Sequence, residues 1–499
     1  MYDQTQFTPL WMLEPHGFYL SADAYHGIRE HSGYAPEGWI TYTQNKPISF
    51  FFGAYPEESL RKEAEIGFKT FTNKNFLKKF EARREESYSI SKKISEQYYA
   101  EFWGREAEIL KKSPLKVLKF LREVQEVAAF IMPYYLMTQP QRFYKFEESL
   151  KPFLPNKNLE LISTNGRHLT YVTQIMKVII EVTKAIGVTG QSCDEFLDRN
   201  SKYKSLVRST VDKLGFLNIN LFGGEMANEK YISQQVDSLL ADKKKFETET
   251  LKMDELVSRI SQRNELCSRE KNAAISLADI MGHASVLRFD FQTCLLSVLK
   301  YADTFIKQAQ NQYALDTHEI GTYFTEEIFN LIEKGAIIDK EILLERQKGF
   351  LVIWKDSGAE IYAGDNARER IKNLLEFRSS EIERTKEVKG TVASLPDKAQ
   401  TTIRGKAFVL TTAFDADEMV KTFQDGDILV ATQTHPNLVP QMKGALAIVT
   451  DEGGITCHAA IVSRELRKPC IIGTKLATKI FKNGDIIELN LQTGKVVKI

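Results

Sequence analysis

The chain has 499 residues, room for about three domains of ordinary size. Apolar residues make up 43% and charged residues 27%, the balance of a folded globular protein and not of a disordered or fibrous one. With 67 basic and 66 acidic side chains the net charge is +1, which gives no electrostatic footprint for nucleic acid or an anionic membrane surface.

The first seventy or so residues mix aromatics with glycine. Trp39 to Thr43 and Ile48 to Phe52, separated by an Asn-Lys-Pro turn, read as a β-hairpin. The N-terminus has an acidic residue early and lacks the basic start and apolar core of a signal peptide. From Asn73 onward apolar residues recur at three- and four-residue spacing among many Lys and Glu, the period of amphipathic helices. Phe76 to Trp103 is one such helix. A second runs from Leu115 to Ile131, opened by Ser113 and Pro114, residue types that cap a helix and fill its first turn. The longest apolar run, Val127 to Met137, is broken by Pro133 and is shorter than the roughly 20 residues that span a bilayer, so it reads as a buried helix pair. Further helices are predicted over Leu169 to Ile186, stopped by Gly187, and over Lys271 to Gln310. Asn218 to Lys230, with its Gly223-Gly224 pair, is a loop; neither the strand nor the Lys-Ser/Thr that frames a phosphate loop accompanies it.

Thr325 as N-cap and Gly335 as stop delimit a short helix, followed by a helix over Lys340 to Lys348 and a strand over Phe350 to Trp354. Arg368 to Lys386 reads as a charged connector helix. Past it the period switches from about 3.6 to about 2, which sets a boundary near residue 387. Val388 to Ser394, Lys406 to Thr411, Asp427 to Ala431, Ala447 to Thr450, Cys470 to Gly473 and Asp485 to Asn490 are short Val/Ile-rich strands, with helices over Asp415 to Phe423 and Thr456 to Glu465. The fold class is therefore multidomain α+β: 1–72 a mixed segment with a hairpin, 73–386 mainly helical, and 387–499 a small α/β-type domain.

One segment carries chemistry. Gly453 and Gly454 let the chain turn sharply between a strand and a helix and bring backbone N–H groups close to whatever sits at the helix start. His458 lies in the first turn, where the helix field favours a bound phosphate and keeps the imidazole neutral and nucleophilic. Thr456 is placed to cap the helix and to offer its hydroxyl to a phosphoryl oxygen. A lone histidine after a glycine pair is by itself more often structural than catalytic. The aromatics Trp103, Phe130, Tyr134, Tyr135 and Phe143, at helical spacing, read as core packing before they read as a ligand pocket. His435 lies in a loop with Pro436 and Asn437; His26 and His31 are five apart with no HExxH pattern, so no metal site is expected. Cys193, Cys267, Cys294, Cys457 and Cys470 are widely spaced, which suits reduced thiols in the cytoplasm and no disulfide framework.

The run from Gly453 to Arg464, GGITCHAAIVSR, resembles the phosphohistidine signature of PEP-utilising enzymes, with Ile455 standing where many members carry a basic residue. Val388-Lys389-Gly390, Arg404-Gly405-Lys406-Ala407, Gly426 to Ala431, Pro436-Asn437 and Ala447 to Gly454 follow the same family in the same order. The resemblance implies a swivelling β/β/α domain with His458 as the phosphorylated residue and Gly453, Gly454, Thr456, Ser463 and Arg464 as its phosphate-binding or supporting neighbours. A weaker likeness, Tyr323 to Ile328 with Glu345-Arg346, is to the segment upstream of that domain in PEP synthases and rifampicin phosphotransferases.

Residues 1–386 show no glycine-rich phosphate loop with lysines and magnesium carboxylates of the ATP-grasp kind. The resemblance thus implies a phosphotransferase component that binds no cofactor itself, takes its phosphoryl group from an ATP-grasp partner holding ATP and Mg, and passes it to a small-molecule acceptor on the helical region. No nucleic acid or membrane partner is expected. The alternative is a non-catalytic binding or regulatory protein that keeps the swivel fold. A swivel domain of the aconitase class finds no support, since cluster-binding cysteines are missing.

Overall fold

The computed structural model describes residues 7–13, 40–42, 51–138, 143–150, 153, 157–187, 191–218, 227–270, 272–355, 358–375, 386–395, 401–410, 422–434, 438–451, 453–454 and 457–499. The chain divides into two compact units: residues 11–139 with 155–371, and residues 1–10 with 140–154 and 372–499.

The first unit is mainly helical. Its centre is the helix Ala273–Gln312, which packs against Pro114–Met137, Lys74–Glu101 and Lys157–Thr164. Asn272 starts it by accepting a hydrogen bond from the Ile275 N–H at 2.9 Å, one of the four donors a helix start leaves unpaired. Aromatic edges and faces fill the core: Phe80 meets Tyr134 and Phe291 edge-on at 5.3 and 5.8 Å, and Tyr98 stacks on Tyr301 at 4.4 Å. Tyr134 is buried here, and Phe143 is buried in the other unit, while Trp103 is exposed.

Pro114–Met137 is one helix, not the expected pair, because it continues through Pro133. A proline inside a helix removes one backbone donor. Ile131, Met132, Tyr134 and Met137, all buried around it, hold the helix together by packing. Near the start Ile40–Tyr42 pairs antiparallel with Phe51–Pro56, Ile40 opposite Ala54; this second strand overlaps the expected Ile48 to Phe52 only at 51–52, and the expected turn, within 43–50, lies outside the described residues. Ile40–Tyr42 also pairs with Phe350–Lys355, which continues into Gly358–Ala363, so these strands make one sheet from distant parts of the sequence.

The helix expected to be capped by Thr325 is capped by Phe324 instead, whose N–H donates to the Glu327 carboxylate at 2.9 Å; Thr325 is its first residue and Gly335, at φ 65, ends it. Arg346 then grips this turn. Its two terminal nitrogens meet Glu327 at 2.8 and 2.9 Å, one of them also donates to the Thr322 carbonyl at 3.0 Å, and its guanidinium covers the Phe324 ring. The likeness noted at Tyr323–Ile328 and Glu345–Arg346 thus falls on a structural clamp. The charged connector begins at Gly364, earlier than expected, and is helical to Leu375; the remainder of the expected span, 376–385, lies outside the described residues.

The C-terminal unit holds an eight-stranded sheet. From one edge to the other its strands are Glu387–Lys389, Lys495–Lys498, Ile486–Asn490, Thr402–Leu410, Ile428–Ala431, Ala447–Thr450, Cys470–Ile472 and Thr391–Ser394. The four from Thr402–Leu410 to Cys470–Ile472 run parallel. From Ala407 on in the first strand and throughout the other three, both faces are buried, and alternation divides them: Val409, Val430, Val449 and Ile471 enter one core, Leu410, Leu429, Ile448 and Ile472 the other. The second core is closed by Met442 from the helix Val439–Gly444 and by Ala459 and Ala460 from the helix His458–Glu465.

The single strand expected over Val388 to Ser394 is two, and they form the opposite edges of the sheet with Gly390 alone between them. A sheet whose two edges are joined by one residue must curl on itself into a barrel-like shape. The closure needs glycines. Gly390 donates to the Gly494 carbonyl at 2.8 Å, and a Cβ on Gly494, at φ +71, would stand 2.1 Å from the Gly390 carbonyl oxygen. Gly494→Ala is therefore expected to destabilise the C-terminal unit by roughly twice the ~1–2 kcal/mol of the left-handed backbone alone. Gly426→Ala is the control, since φ there is +96 but nothing lies within 4 Å of a Cβ. Urea unfolding of both variants checks the difference. The helix expected over Asp415 to Phe423 lies largely outside the described residues.

Candidate functional site

The site grows from the carboxyl end of the parallel strand Ala447–Thr450, flanked by Ile428–Ala431 and Cys470–Ile472. In parallel sheets this end is where connecting loops converge on ligands. After Thr450 the chain turns at Gly453, φ +116, where a Cβ would meet the Cys457 sulfur at 2.6 Å. The Gly454 carbonyl accepts from the Cys457 N–H at 2.9 Å, which closes the turn. The helix then runs His458–Glu465 with His458 as its first residue.

Its N-cap is Cys457, whose sulfur accepts from the Ala460 N–H at 3.4 Å. The expected cap, Thr456, lies outside the described residues, as do the side chain of His458 and residues 435–437 with His435. The helix start leaves further N–H groups of its first turn pointing past the cap, with the positive end of the helix dipole behind them.

The structure brings Gly453, Gly454 and His458 to one point and places Ser463 and Arg464 elsewhere. Ser463 is five residues along the helix, about 7 Å from its start, and its hydroxyl donates back to the Ala459 carbonyl. Arg464 donates through Nε to the Ala393 carbonyl at 3.0 Å, which ties the helix to the edge strand Thr391–Ser394. Both hold the helix that carries His458.

Asp451 is the residue that sequence reasoning quoted only as part of a motif. It is buried, and its carboxylate accepts from the Thr474 hydroxyl at 2.9 Å, from the Thr478 N–H at 3.1 Å, and from the Ala477 N–H and Thr478 hydroxyl. It thereby caps the helix Ala477–Ile480 from a distance in sequence and anchors the start of the His458 loop. Burial lifts its pKa above the ordinary carboxylate range despite these donors. An aspartate closing an apolar strand was the available signal; its partners, more than twenty residues on, were not legible. Among the described residues no group of three or more His, Cys, Asp or Glu is placed to hold a metal ion.

The helical unit has its own concentration of charge. Arg84 bonds Asp290 at 2.6 Å, and the same carboxylate accepts from the Tyr171 N–H at 3.0 Å. Arg167 reaches Asp279 at 2.9 Å and Glu81 at 3.3 Å, and the buried Arg263 also meets Asp279. His283, fully buried, contacts Glu81 through Nε2 at 2.8 Å, and the His168 ring lies 5.4 Å from it. Burial, then the guanidiniums of Arg84 and Arg167, brings His168 down to about 4; burial with Arg167 and His168 brings His283 to about 3. Keeping both rings neutral therefore contributes stability that is complete above the unfolded value of 6.5 and is lost as pH falls toward those values. The urea midpoint of the helical unit should drop between pH 6.5 and pH 4, and a His168→Gln, His283→Gln double variant should show a shallower drop.

Residues 423–494 match the family described as PEP-utilising enzyme, mobile domain. Over these residues the chain is similar to the mobile domain of PEP-utilising enzymes. The probable phosphoenolpyruvate synthase of Archaeoglobus fulgidus is 41% identical over 176 residues, 34% of this chain and 22% of that protein. That of Pyrococcus abyssi is 37% identical over 181 residues, and the phosphoenolpyruvate synthase of Pyrococcus furiosus 58% over 85 residues, 17% of this chain and 10% of that one. The chain spans only about a fifth of the length of the first of these relatives. A match over 34% of the chain exceeds residues 387–499, so the likeness reaches upstream of the C-terminal strands. The holo-form crystal structure of aconitase X from Thermococcus kodakaraensis aligns over 23% of this chain and 98% of that one at 14% identity, with a TM-score of 0.17 that carries no argument about fold. No described helix is long and apolar enough to cross a membrane.

Proposed function

We propose that this chain is a phosphotransferase component that carries a phosphoryl group on His458 within a swivelling phosphohistidine domain. The observation that supports this most is the placement of His458 as first residue of the helix His458–Glu465, behind the Gly453-Gly454 turn, inside the stretch that matches the PEP-utilising mobile domain. An imidazole nitrogen attacks the donor's phosphorus; the N–P bond forms as the bond from phosphorus to the donor's leaving oxygen breaks. First-turn N–H groups and the helix dipole face the phosphoryl oxygens, and Gly453 and Gly454 allow the backbone to approach them without a side chain between. Ser463 and Arg464 keep the helix seated, and Thr456 is the hydroxyl this reading assigns to a phosphoryl oxygen.

The donor on this reading is a separate ATP-grasp protein that holds ATP and Mg, the acceptor is a small molecule on the helical unit, and the setting is the cytoplasm. The relatives named phosphoenolpyruvate synthase support the reaction class. The chain, mixed with an ATP-grasp protein and ATP labelled at the β or γ phosphorus, should take up label that acid removes and alkali does not. The label should vanish in His458→Ala; label that persists in that variant removes the assignment.

A further inference from the structure

We propose that the strand Gly358–Ala363 is a docking edge through which two copies of this chain pair, antiparallel and about Ile361, into one continuous sheet. The strand lies at the end of the five-stranded sheet and is hydrogen-bonded on one side only, to Phe350–Lys355. The bond from the Gly364 N–H to the Gly349 carbonyl at 2.9 Å fixes which way its backbone groups point. It makes Gly349 and Gly364 a hydrogen-bonded pair. With Phe350 opposite Ala363, the alternation of an antiparallel ladder then turns the N–H and C=O of Ala359, Ile361 and Ala363 away from Phe350–Lys355. Among the described residues no hydrogen-bond partner meets the outward groups of Ile361 and Ala363.

An edge of this kind is a template for pairing, and folded proteins blunt it with a bulge, a proline, a lysine or a very short strand. The C-terminal sheet shows such devices. One of its edge strands, Glu387–Lys389, is three residues long and charged at both ends, and the other, Thr391–Ser394, shifts register against Cys470–Ile472. Gly358–Ala363 has none of them. Its six successive pairs run without a bulge, its sequence GAEIYA has neither proline nor lysine, and Ile361 is 47% exposed while Val352 across the ladder is fully buried. The helix Lys340–Lys348 meets the strand only past its end, where a Cβ on Gly364 would touch the Glu345 carboxylate, and leaves Ile361 in solvent.

Charge and register select a second copy of the same strand. Centred on Ile361, antiparallel self-pairing sets Ile361 against the partner's Ile361 and Ala359 against the partner's Ala363, so every outward N–H and C=O of the three residues gains a partner. It also sets Glu360 opposite the partner's Tyr362, and in each copy the Arg370 guanidinium covers the Tyr362 ring at 4.2 Å, so a carboxylate meets a ring that carries a cation. Within one chain the Tyr362 hydroxyl donates to Glu360 at 3.1 Å, which puts the two side chains on one face of the strand. Moving the centre to Glu360 would set two carboxylates face to face, and moving it to Tyr362 would leave Ala359 unpaired.

The pairing is independent of the chemistry at His458. Its test is sedimentation of the whole chain at up to about 100 μM, with Ile361→Lys, Ile361→Cys and Ala363→Cys beside it. The unsubstituted chain is expected to sediment as a dimer. Ile361→Lys places a lysine twice at the centre of the seam and should raise the dissociation constant by about tenfold or more with little change in the urea midpoint, since the Ile361 backbone groups bond nothing within the chain. Ile361→Cys should give a disulfide-linked dimer in air, because a hydrogen-bonded antiparallel pair holds its Cα atoms about 5.5 Å apart, within disulfide reach. Ala363→Cys, about 13 Å from its counterpart in this register, should not. A chain that stays monomeric throughout that range overturns the proposal. So does a dimer that Ile361→Lys leaves intact, or an Ala363→Cys variant that cross-links as readily as Ile361→Cys. Should Ile361→Lys fail to fold, the two cysteine variants decide alone.

Discussion

Asp290→Ala is expected to lower the stability of the helical unit by about 3–5 kcal/mol, the cost of stranding a buried charge. Asp290 is 1% exposed and Arg84 8%, so when the carboxylate is removed the guanidinium cannot reach water by a rotamer change alone. The Tyr171 N–H loses its acceptor in the same stroke, at the start of the helix Tyr171–Ile186. Two contacts soften the loss: Glu85 at 3.0 Å and the Tyr171 ring, 4.4 Å from the guanidinium carbon. Replacing both partners with apolar residues, Arg84→Met with Asp290→Leu, should recover most of the stability, because no charge is then left buried; the orphaned Tyr171 N–H keeps a remainder of about 1–3 kcal/mol. Amide exchange along Tyr171–Ile186 measures both variants without interference from the other unit. A single variant costing under about 1 kcal/mol would show that the pair is hydrated, contrary to this account.

Asp451→Ala is expected to cost the C-terminal unit about 3–5 kcal/mol, since it takes the acceptor from two backbone N–H groups and two hydroxyls at once. The hydroxyls of Thr474 and Thr478 can turn to other acceptors. The N–H groups of Ala477 and Thr478 cannot. Asp451→Asn separates these terms, because its single oxygen can serve one N–H while its amide faces the other donors; an intermediate loss is expected. Through the Gly453 turn the damage should also reach His458, so phosphoryl uptake is expected to fall along with the urea midpoint in both variants. A stable Asp451→Ala protein would show that the short helix Ala477–Ile480 needs no cap.

Local signals made much of this legible from sequence. Glycine stops at Gly187 and Gly335 and the alternation of valine and isoleucine in the parallel strands are set by residues within a few positions of one another. What was not legible depends on partners far along the chain. Nothing near Gly390 announces that the strands on its two sides belong to opposite edges of a sheet, because Gly494 closes the seam. Packing by Ile131 and Tyr134 decides that Pro133 stays within a helix, and the Glu327 side chain moves the cap from Thr325 to Phe324. In the candidate site the glycine pair and His458 were readable as a motif, whereas the roles of Asp451 and Cys457 arise only when the strand, turn and helix are folded together. The Glu81–His283 contact joins residues 202 apart in sequence and left no trace in periodicity.

The most direct measurement is the modification state of the chain isolated from its own cells without acid treatment, with proteolysis and mass mapping at alkaline pH, where an N–P bond on histidine survives. The account predicts a phosphate on the peptide spanning Gly453–Arg464, located on His458 and absent after brief acidification. Isolation of the chain with His458 unmodified under every growth condition tested, or with the acid-labile phosphate on another residue, would contradict it.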